Sequence, residues 1–553
     1  MDSSTLELVL KTIKDFSNRK LSLSFKLQCD EKNEFPEEII KELMSDEIGL
    51  HLVFIPEEYG GLGGSAFDIY RVSRALAEED LGIATAFLAI SLGMDPIRVG
   101  GTPEQKEKWM SRIASEGLIV AYGVTEPTAG SEVSAIRTTA QRITDSTGKV
   151  ISYKLNGTKQ FITNGGVADI YTILAKTPEG PSFFIVEKGT PGLSAGRHED
   201  KHGIRASNTS QVILEDVIVP EENLVGRVEG QGLRHAQEVF GFTRLMVAAF
   251  GLGAGISALK KAISYSKERI QYGSPLCKKQ GYMHRLIVPN AVRLEAARIY
   301  IEEVAKLLDS QSKGLETEGA IAKFLATEAG NRAADAAIQA HGGYGYIREY
   351  EVEKIKRDVR ITTIYEGTSE IMLNTIGMDR WRSVIQSRFE YYSEIEREMR
   401  SLESTKRGTG AGILSSCARV LGEILKIAFE KRLTRKQFVL FKMAEMIAEV
   451  ESGVAVCRRA SHVLEGKNDG IDGSPFGNGI LDYEFILAIS RVNAGEVASK
   501  VIQNSNFIIG GTGIFNNGDA SSFRQKIGLF SLLDAVDGLE MDMDKIGEII
   551  TAN

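Results

Sequence analysis

Between about residue 121 and residue 225 the chain changes its hydrophobic period, and that change limits the folds open to it. Residues 149–155, 170–175, 182–186 and 211–214 are short β-branched or aromatic runs, with Asn156-Gly157 and Asn164-Gly165-Gly166 as turns. This pattern predicts a small antiparallel β domain. On either side the period is helical, as in 37–44, 68–77, 290–308 and 318–338, with apolar residues three and four apart. The expected fold is therefore mainly α with a central β domain. An N-terminal helical domain spans 1–120, the middle β domain 121–228 and a helical bundle 229–388. A polar, Gly-rich linker follows at 389–412, then a C-terminal helical domain at 413–553. Gly60-Gly61-Leu62-Gly63-Gly64 reads as a loop between helices. Gly251-Leu252-Gly253-Ala254-Gly255 lies in helical pattern with no strand before it, so it reads as close helix packing rather than a dinucleotide turn.

A length of 553 residues exceeds one core and implies two to four domains. A net charge of −8 offers no basic field to gather phosphates, which argues against a nucleic-acid partner. Cys29, Cys277, Cys417 and Cys457 are scattered, and the seven histidines show no paired ligand spacing. Neither a disulfide framework nor a metal site is expected. The acidic N-terminus and the lack of an apolar run of about 18 residues predict no leader and no spanning helix. A cytoplasmic protein is the expectation, or a mitochondrial one after removal of a transit peptide.

Two stretches carry chemistry. Ile364-Tyr365-Glu366-Gly367-Thr368-Ser369-Glu370-Ile371 offers one carboxylate between an aromatic ring and a glycine. Tyr122-Gly123-Val124-Thr125-Glu126-Pro127-Thr128-Ala129-Gly130-Ser131-Glu132 is a loop that presents N–H groups and hydroxyls to a polar ligand. A lone base and a ligand-cradling loop suggest proton abstraction beside a bound cofactor. Hydrolysis would want a nucleophile with its base, or a metal.

These motifs, in this order, resemble the acyl-CoA dehydrogenase family of flavoproteins. The others that match are Asn156-Gly157-Thr158-Lys159-Gln160-Phe161-Ile162-Thr163, Lys201-His202-Gly203-Ile204-Arg205, Glu268-Arg269-Ile270-Gln271-Tyr272-Gly273 and Gln339-Ala340-His341-Gly342-Gly343-Tyr344-Gly345. The resemblance covers roughly residues 30–385. The helical extension beyond it further resembles the very-long-chain subgroup. The resemblance implies FAD as cofactor and no metal. It implies oxidation of an acyl-CoA, expected to be long-chain, to the trans-2-enoyl-CoA, with Glu366 as the base. Thr243 occupies the position where some members carry an alternative Glu. Tyr122, Val124, Thr125, Gly130, Ser131, Phe161 and Thr163 are implied at the flavin, Phe161 standing where close relatives have Trp. Arg269, Tyr272, Gln280, Gln339, Gly342 and Gly343 match positions that hold the far half of FAD from a neighbouring subunit, which implies a homodimer. Thr368 and Glu370 are placed near the adenine side. For the substrate the resemblance implies Ser131 and Arg244 on the CoA portion, Tyr365 and Gly367 beside the base, and Gly93 and Asp95 at the acyl pocket, where Gly93 would leave room for depth.

The implied electron acceptor is an electron-transfer flavoprotein. Alternatives are an acyl-CoA oxidase type using O2, a dehydrogenase for polar, branched or cyclic acyl groups, and a non-enzymatic assembly or scaffold protein that keeps the fold. Residues 412–432, apolar on one side and basic at the end, offer a peripheral membrane contact, with packing on the chain's own domain as the alternative.

Overall fold

A computed structural model of the protein describes residues 1–310, 315–467, 473–477, 479 and 482–552, the side chains of 242 and 517 excepted. Parts of the expected C-terminal domain at 468–472, 478, 480–481 and 553 thus lie outside the described residues. The chain forms two compact units. One comprises Met1–Ala254 and Arg348–Thr362, the other Gly255–Ile347 and Thr363–Asn553.

The first unit opens with six helices, Ser3–Lys20 through Pro103–Glu116. Five of them have a side-chain N-cap in sequence, Asp2, Ser22, Ser65, Asp80 and Thr102, and Ser65 and Thr102 make full capping boxes. The helix Leu81–Gly100 is apolar almost all round and is buried along most of its length. It and Gly232–Glu268 reach the length and apolarity of a membrane span, which the sequence reading did not expect. About four fifths of each apolar window, 78% and 82%, is nevertheless buried in the protein. Asp80 caps the Leu81–Gly100 helix through Ile83 N (3.0 Å) and pairs with Lys354 (2.6 Å). Lys354 also pairs with Asp358 (2.6 Å), which accepts from Ile204 N (2.6 Å). This buried network explains why the late segment Arg348–Thr362 belongs to the first unit.

Seven strands form one sheet in the order β1-β4-β2-β3-β7-β6, with β5 on β4. They are β1 (Val120–Gly123), β2 (Thr139–Thr144), β3 (Val150–Thr163), β4 (Ile170–Thr177), β5 (Gly180–Glu187), β6 (Leu193–Ala195) and β7 (Thr209–Pro220). The sheet is mixed, which corrects the wholly antiparallel expectation: β1 runs parallel to β4, Val120 opposite Ile170. The strand enters from the helical domain and not through a hairpin, so no tight turn forces it antiparallel. The pairing of β3 with β7 slips between Leu155 and Gly157 and again between Lys159 and Ile162. The second slip is a bulge that carries Phe161.

The second unit is helical. Glycines allow close crossings: a Cβ on Gly255 would lie 2.7 Å from Gly330 Cα, and one on Gly377 2.7 Å from Leu440 Cδ1. The expected linker at 389–412 is corrected. Tyr391–Thr405 is a helix that buries Tyr392 and Met399. The turn after it is fixed as well, because Thr409 O accepts from Ser490 Oγ (2.7 Å) and Cys457 Sγ (3.0 Å). Glycine at 408 and 410 supplies the positive φ of that turn, 82° and 81°, and is no sign of looseness. The next helix, Ala411–Glu430, buries Leu414, Leu421, Ile424 and Leu425, so the apolar side considered for a membrane is a core face.

Candidate active site

The residues singled out in the sequence fall in both units. In the first, β1 leads into the loop that begins at Tyr122. Tyr122 stacks on Phe183, with centroids 5.8 Å apart and planes 25° apart. Val124 and Glu126 are buried while Gly130 and Ser131 are exposed. Glu126 holds the loop. Its carboxylate accepts from Arg137 N (2.5 Å), Thr138 N (3.0 Å) and the fully buried Lys159 Nζ (2.7 Å). Lys159 also donates to Val124 O (3.2 Å), and Gln160 N donates to Thr125 O (2.9 Å). Burial works to raise the Glu126 carboxyl, but Lys159 and the two N–H donors prevail and hold it below the usual range.

Phe161 is 65% exposed at a backbone φ of 57°. An aromatic side chain at positive φ is strained, and the bulge in β3 is what imposes it. Thr163 follows at the end of β3, opposite Thr209. An added Cβ at Gly130 would meet no atom within 4 Å, so this stretch is open to a ligand. An exposed ring face beside open backbone and hydroxyls fits the flavin of the sequence reading, an apolar ring with polar edges.

The acyl-pocket expectation at Gly93 is corrected. A Cβ there would lie 2.8 Å from Val120 Cγ1 and 2.9 Å from Val120 C. Gly93 lets the helix press against β1, and its carbonyl accepts from Thr172 Oγ1 (2.8 Å). On that side β1 fills the space a side chain would need. Asp95 is buried, and its carboxylate is taken up by Arg98 Nε at 2.8 Å. Burial pushes the Asp95 carboxyl up against the pull of Arg98. Arg244 lies on the Gly232–Glu268 helix, one residue after the buried Thr243.

In the second unit, Glu366 has φ 53° and Gly367 φ 92°. Two successive left-handed residues make a sharp turn, and a glutamate adopts that conformation only under constraint. The constraint is visible in two contacts. Lys323, fully buried on the helix Glu316–His341, donates to Gly367 O. Glu328 on the same helix accepts from Ser369 Oγ (2.8 Å). Thr368 caps the helix Ser369–Gln386 by accepting from Ile371 N (3.3 Å), and Glu370 sits exposed in its first turn. Tyr365 is half-buried before the base.

The remaining residues form an exposed face of the second unit. Tyr272 and Gly273, at φ 48° and 77°, are the two-residue turn joining β8 (Ile270–Gln271) to β9 (Ser274–Pro275). Tyr272 is 97% exposed at its tip. The Arg269 guanidinium lies over Tyr344, 5.7 Å from the ring centroid. Gln339, Gly342 and Gly343 are exposed, and added Cβ atoms at the two glycines would meet nothing within 4 Å. An open glycine pair beside a planar cation suits a diphosphate. Gln280 differs from expectation: its amide already donates to Glu540 Oε1 and Asp544 Oδ1, both 3.1 Å, on the helix Leu539–Ala552.

Sequence reading missed the supports. Lys159 stands inside the Asn156–Thr163 motif, where nothing local marks it as buried. Lys323 and Glu328 lie in an ordinary helical pattern, and only a Lys among Ala320, Ile321 and Ala322 on a buried stretch could have hinted at them.

Family models for acyl-CoA dehydrogenases match three consecutive stretches: the N-terminal domain at 3–117, the middle domain at 121–217 and the C-terminal domain at 230–379. A short-chain-specific acyl-CoA dehydrogenase from Megasphaera elsdenii is 39% identical over 377 residues, covering 66% of this chain and 96% of that protein. Subunit CarC of the caffeyl-CoA reductase–Etf complex of Acetobacterium woodii is 37% identical over 378 residues, 67% of this chain and 97% of its own. The crystal structure of an acyl-CoA dehydrogenase complexed with FAD from Bacillus anthracis superposes with a TM-score of 0.84 at 24% identity, over 100% of this chain and 95% of that one. The last likeness extends the shared fold through the C-terminal helices. With its three domains in order and relatives matched along nearly their whole length, the chain belongs to the acyl-CoA dehydrogenase family.

Proposed function

We propose that the protein binds FAD and catalyses α,β-dehydrogenation of an acyl-CoA to the trans-2-enoyl-CoA, with Glu366 as the base. The observation that carries this reading is the constrained left-handed turn at Glu366 and Gly367, held by a buried lysine. Backbone strain of this kind collects where a side chain must be aimed. The Glu366 carboxylate takes the α-proton of the thioester. Its own backbone N–H donates to the thioester oxygen, where negative charge develops. Bound FAD supplies the acceptor for the β-hydride. Tyr122, Val124, Thr125, Gly130, Ser131, Phe161 and Thr163 would hold its ring. Arg269, Tyr272, Gln339, Gly342 and Gly343 would hold the diphosphate and adenosine of a second copy's FAD. Exposed Tyr272, Tyr344, Tyr346 and Ile347 favour a homodimer, since an aromatic face of this kind is commonly covered. Electrons pass on to an electron-transfer flavoprotein, a reading supported by the relative named as part of an Etf complex.

A long-chain substrate rests on the resemblance of the C-terminal extension, and of residues 164–171, to the very-long-chain subgroup. The second reading is a short or specialised acyl group, favoured by Gly93 packed on β1 and by the relative named short-chain specific. Anaerobic titration with acyl-CoAs of increasing length, followed at the flavin absorbance band, tests both. Bleaching is expected, with Glu366→Gln slowing it by roughly 10²–10⁴-fold while FAD stays bound. Protein that holds FAD yet bleaches with no acyl-CoA, or bleaches equally fast as Glu366→Gln, overturns the reading.

A further inference from the structure

The turn that carries Glu366 is gripped from one side by a single helix. Lys323 and Glu328 lie five residues apart on Glu316–His341, and both hold the chain on the C-terminal side of the strained pair Glu366–Gly367: Lys323 through its amino group on Gly367 O, Glu328 through its carboxylate on Ser369 Oγ. Lys323 is among the fully buried side chains of the protein, a rare place for a lysine. Its burial carries a desolvation cost that a Met or Leu of similar length would avoid, so simple packing does not explain it. What the amino group does there is fix the orientation of one peptide unit, the one following Glu366 and Gly367. With the Gly367 carbonyl and the Ser369 hydroxyl both held, the turn cannot unwind from its C-terminal side. Without these contacts Glu366 would tend towards negative φ, which an L-residue prefers, and its side chain would swing away.

We propose that Lys323, with Glu328 as its second arm, is a positioning residue for the base: it holds the Glu366–Gly367 turn in its left-handed conformation and thereby sets the reach of the Glu366 carboxylate. The inference rests on the reading of Glu366 as the base. Lys323 touches neither substrate nor cofactor in this account. Its effect belongs to the rate of proton abstraction and not to substrate affinity.

The test uses full-length, FAD-loaded protein and three variants, Lys323→Met, Lys323→Gln and Ser369→Ala. Flavin reduction is followed by anaerobic stopped flow with the acyl-CoA that bleaches wild type fastest, varied in concentration. For Lys323→Met the limiting rate should fall about 10²-fold, the loss typical of a catalytic group misplaced by about 1 Å, with half-saturation within about threefold of wild type. Lys323→Gln keeps an N–H donor and should recover part of the rate. Ser369→Ala, which leaves no buried hole, should slow reduction by about threefold to tenfold and serves if Lys323→Met does not fold. Amide hydrogen exchange at residues 365–369 should rise about tenfold in Lys323→Met. A wild-type limiting rate in Lys323→Met, or in Ser369→Ala if only that variant folds, overturns the proposal. So does an equal loss in the Met and Gln variants with unchanged exchange at 365–369. If wild type is not reduced by any acyl-CoA, the reading of Glu366 falls, and the exchange measurement still decides whether Lys323 holds the turn.

Discussion

Two polar loops in this protein are held in different ways. The Tyr122–Ser131 stretch of the β domain rests on a closed circuit of charge: one buried carboxylate, one buried amine and two backbone N–H donors, all within the same domain. The Glu366 turn is held by contacts from a helix 44 and 41 residues upstream, among them an amine to a carbonyl and a hydroxyl to a carboxylate. The first arrangement compensates a charge that would otherwise be stranded. The second fixes a conformation that would otherwise relax. Breaking the first should therefore be felt in stability, and breaking the second in rate.

The sharpest way to break the comparison is at Glu126. Glu126→Ala leaves Lys159 buried with Val124 O as its one remaining partner, and it frees two N–H groups. Removing one partner of a buried ion pair typically costs about 3–5 kcal/mol. We expect a large fall in the thermal midpoint and loss of FAD on gel filtration. Lys159→Met should cost less, because Glu126 keeps both backbone donors. If Lys159→Met proves the worse of the two, the carboxylate is not the centre of the support.

A smaller effect is expected one layer below the same loop. Gly93→Ala would push a methyl to 2.8 Å from Val120 at the start of the strand that feeds it. Overpacking of this kind costs about 1–3 kcal/mol. If Gly93 serves packing, stability falls while the ranking of acyl chain lengths is unchanged. A shift in that ranking at unchanged stability would restore Gly93 to the substrate pocket. Both outcomes are read by thermal melts and a chain-length series.

The fold was legible because period is a property of neighbours in sequence. The helical segments, the β runs and the packing glycines at Gly253 and Gly255 all announce themselves within ten residues. The parallel β1 did not, because strand direction depends on where the chain comes from and leaves no mark on four residues. The turn after Thr405 misled, since Gly408 and Gly410 serve a buried tight turn and look the same in sequence as a loose linker. At the candidate site, the residues proposed to touch a ligand sit in short motifs, so they can be read from neighbours in sequence. Residues that aim them cannot: Lys159 and Lys323 are lysines whose burial is decided by distant parts of the chain. Gly93 was misread for the same reason, as nothing local says whether a missing side chain makes room for a ligand or for a strand.

The smallest effect concerns pH, and it has opposite signs at the two ends of the comparison. In the first unit burial lowers the pKa of His51, His198 and His235, so the folded form gives up protons that the unfolded chain binds below about 6.5. Stability from these groups is present above that value and is lost as pH falls. Glu126 adds to the same trend further down, because its folded pKa is depressed and its contribution is lost as the pH drops below the ordinary carboxylate value of about 4.3. In the second unit burial raises Glu449, Glu451 and Glu496, even though Lys500, Arg380 and Arg293 pull the other way. Their folded forms keep protons the unfolded chain has released, so their contribution is full at acid pH and is lost as pH rises through the raised values. His341, lowered by burial in the second unit, and Asp95 and Asp358, raised by burial in the first, oppose their surroundings. Each group contributes at most about 1.4 kcal/mol per pH unit. Lowering the pH from 7.5 towards the ordinary carboxylate value of about 4.3 should speed amide exchange around His51 and His235 and slow it around Glu449 and Glu451 in the helix Gln437–Leu464. Exchange that shifts in one direction throughout, after correction for the intrinsic rate, would show that the two units do not handle buried charge differently.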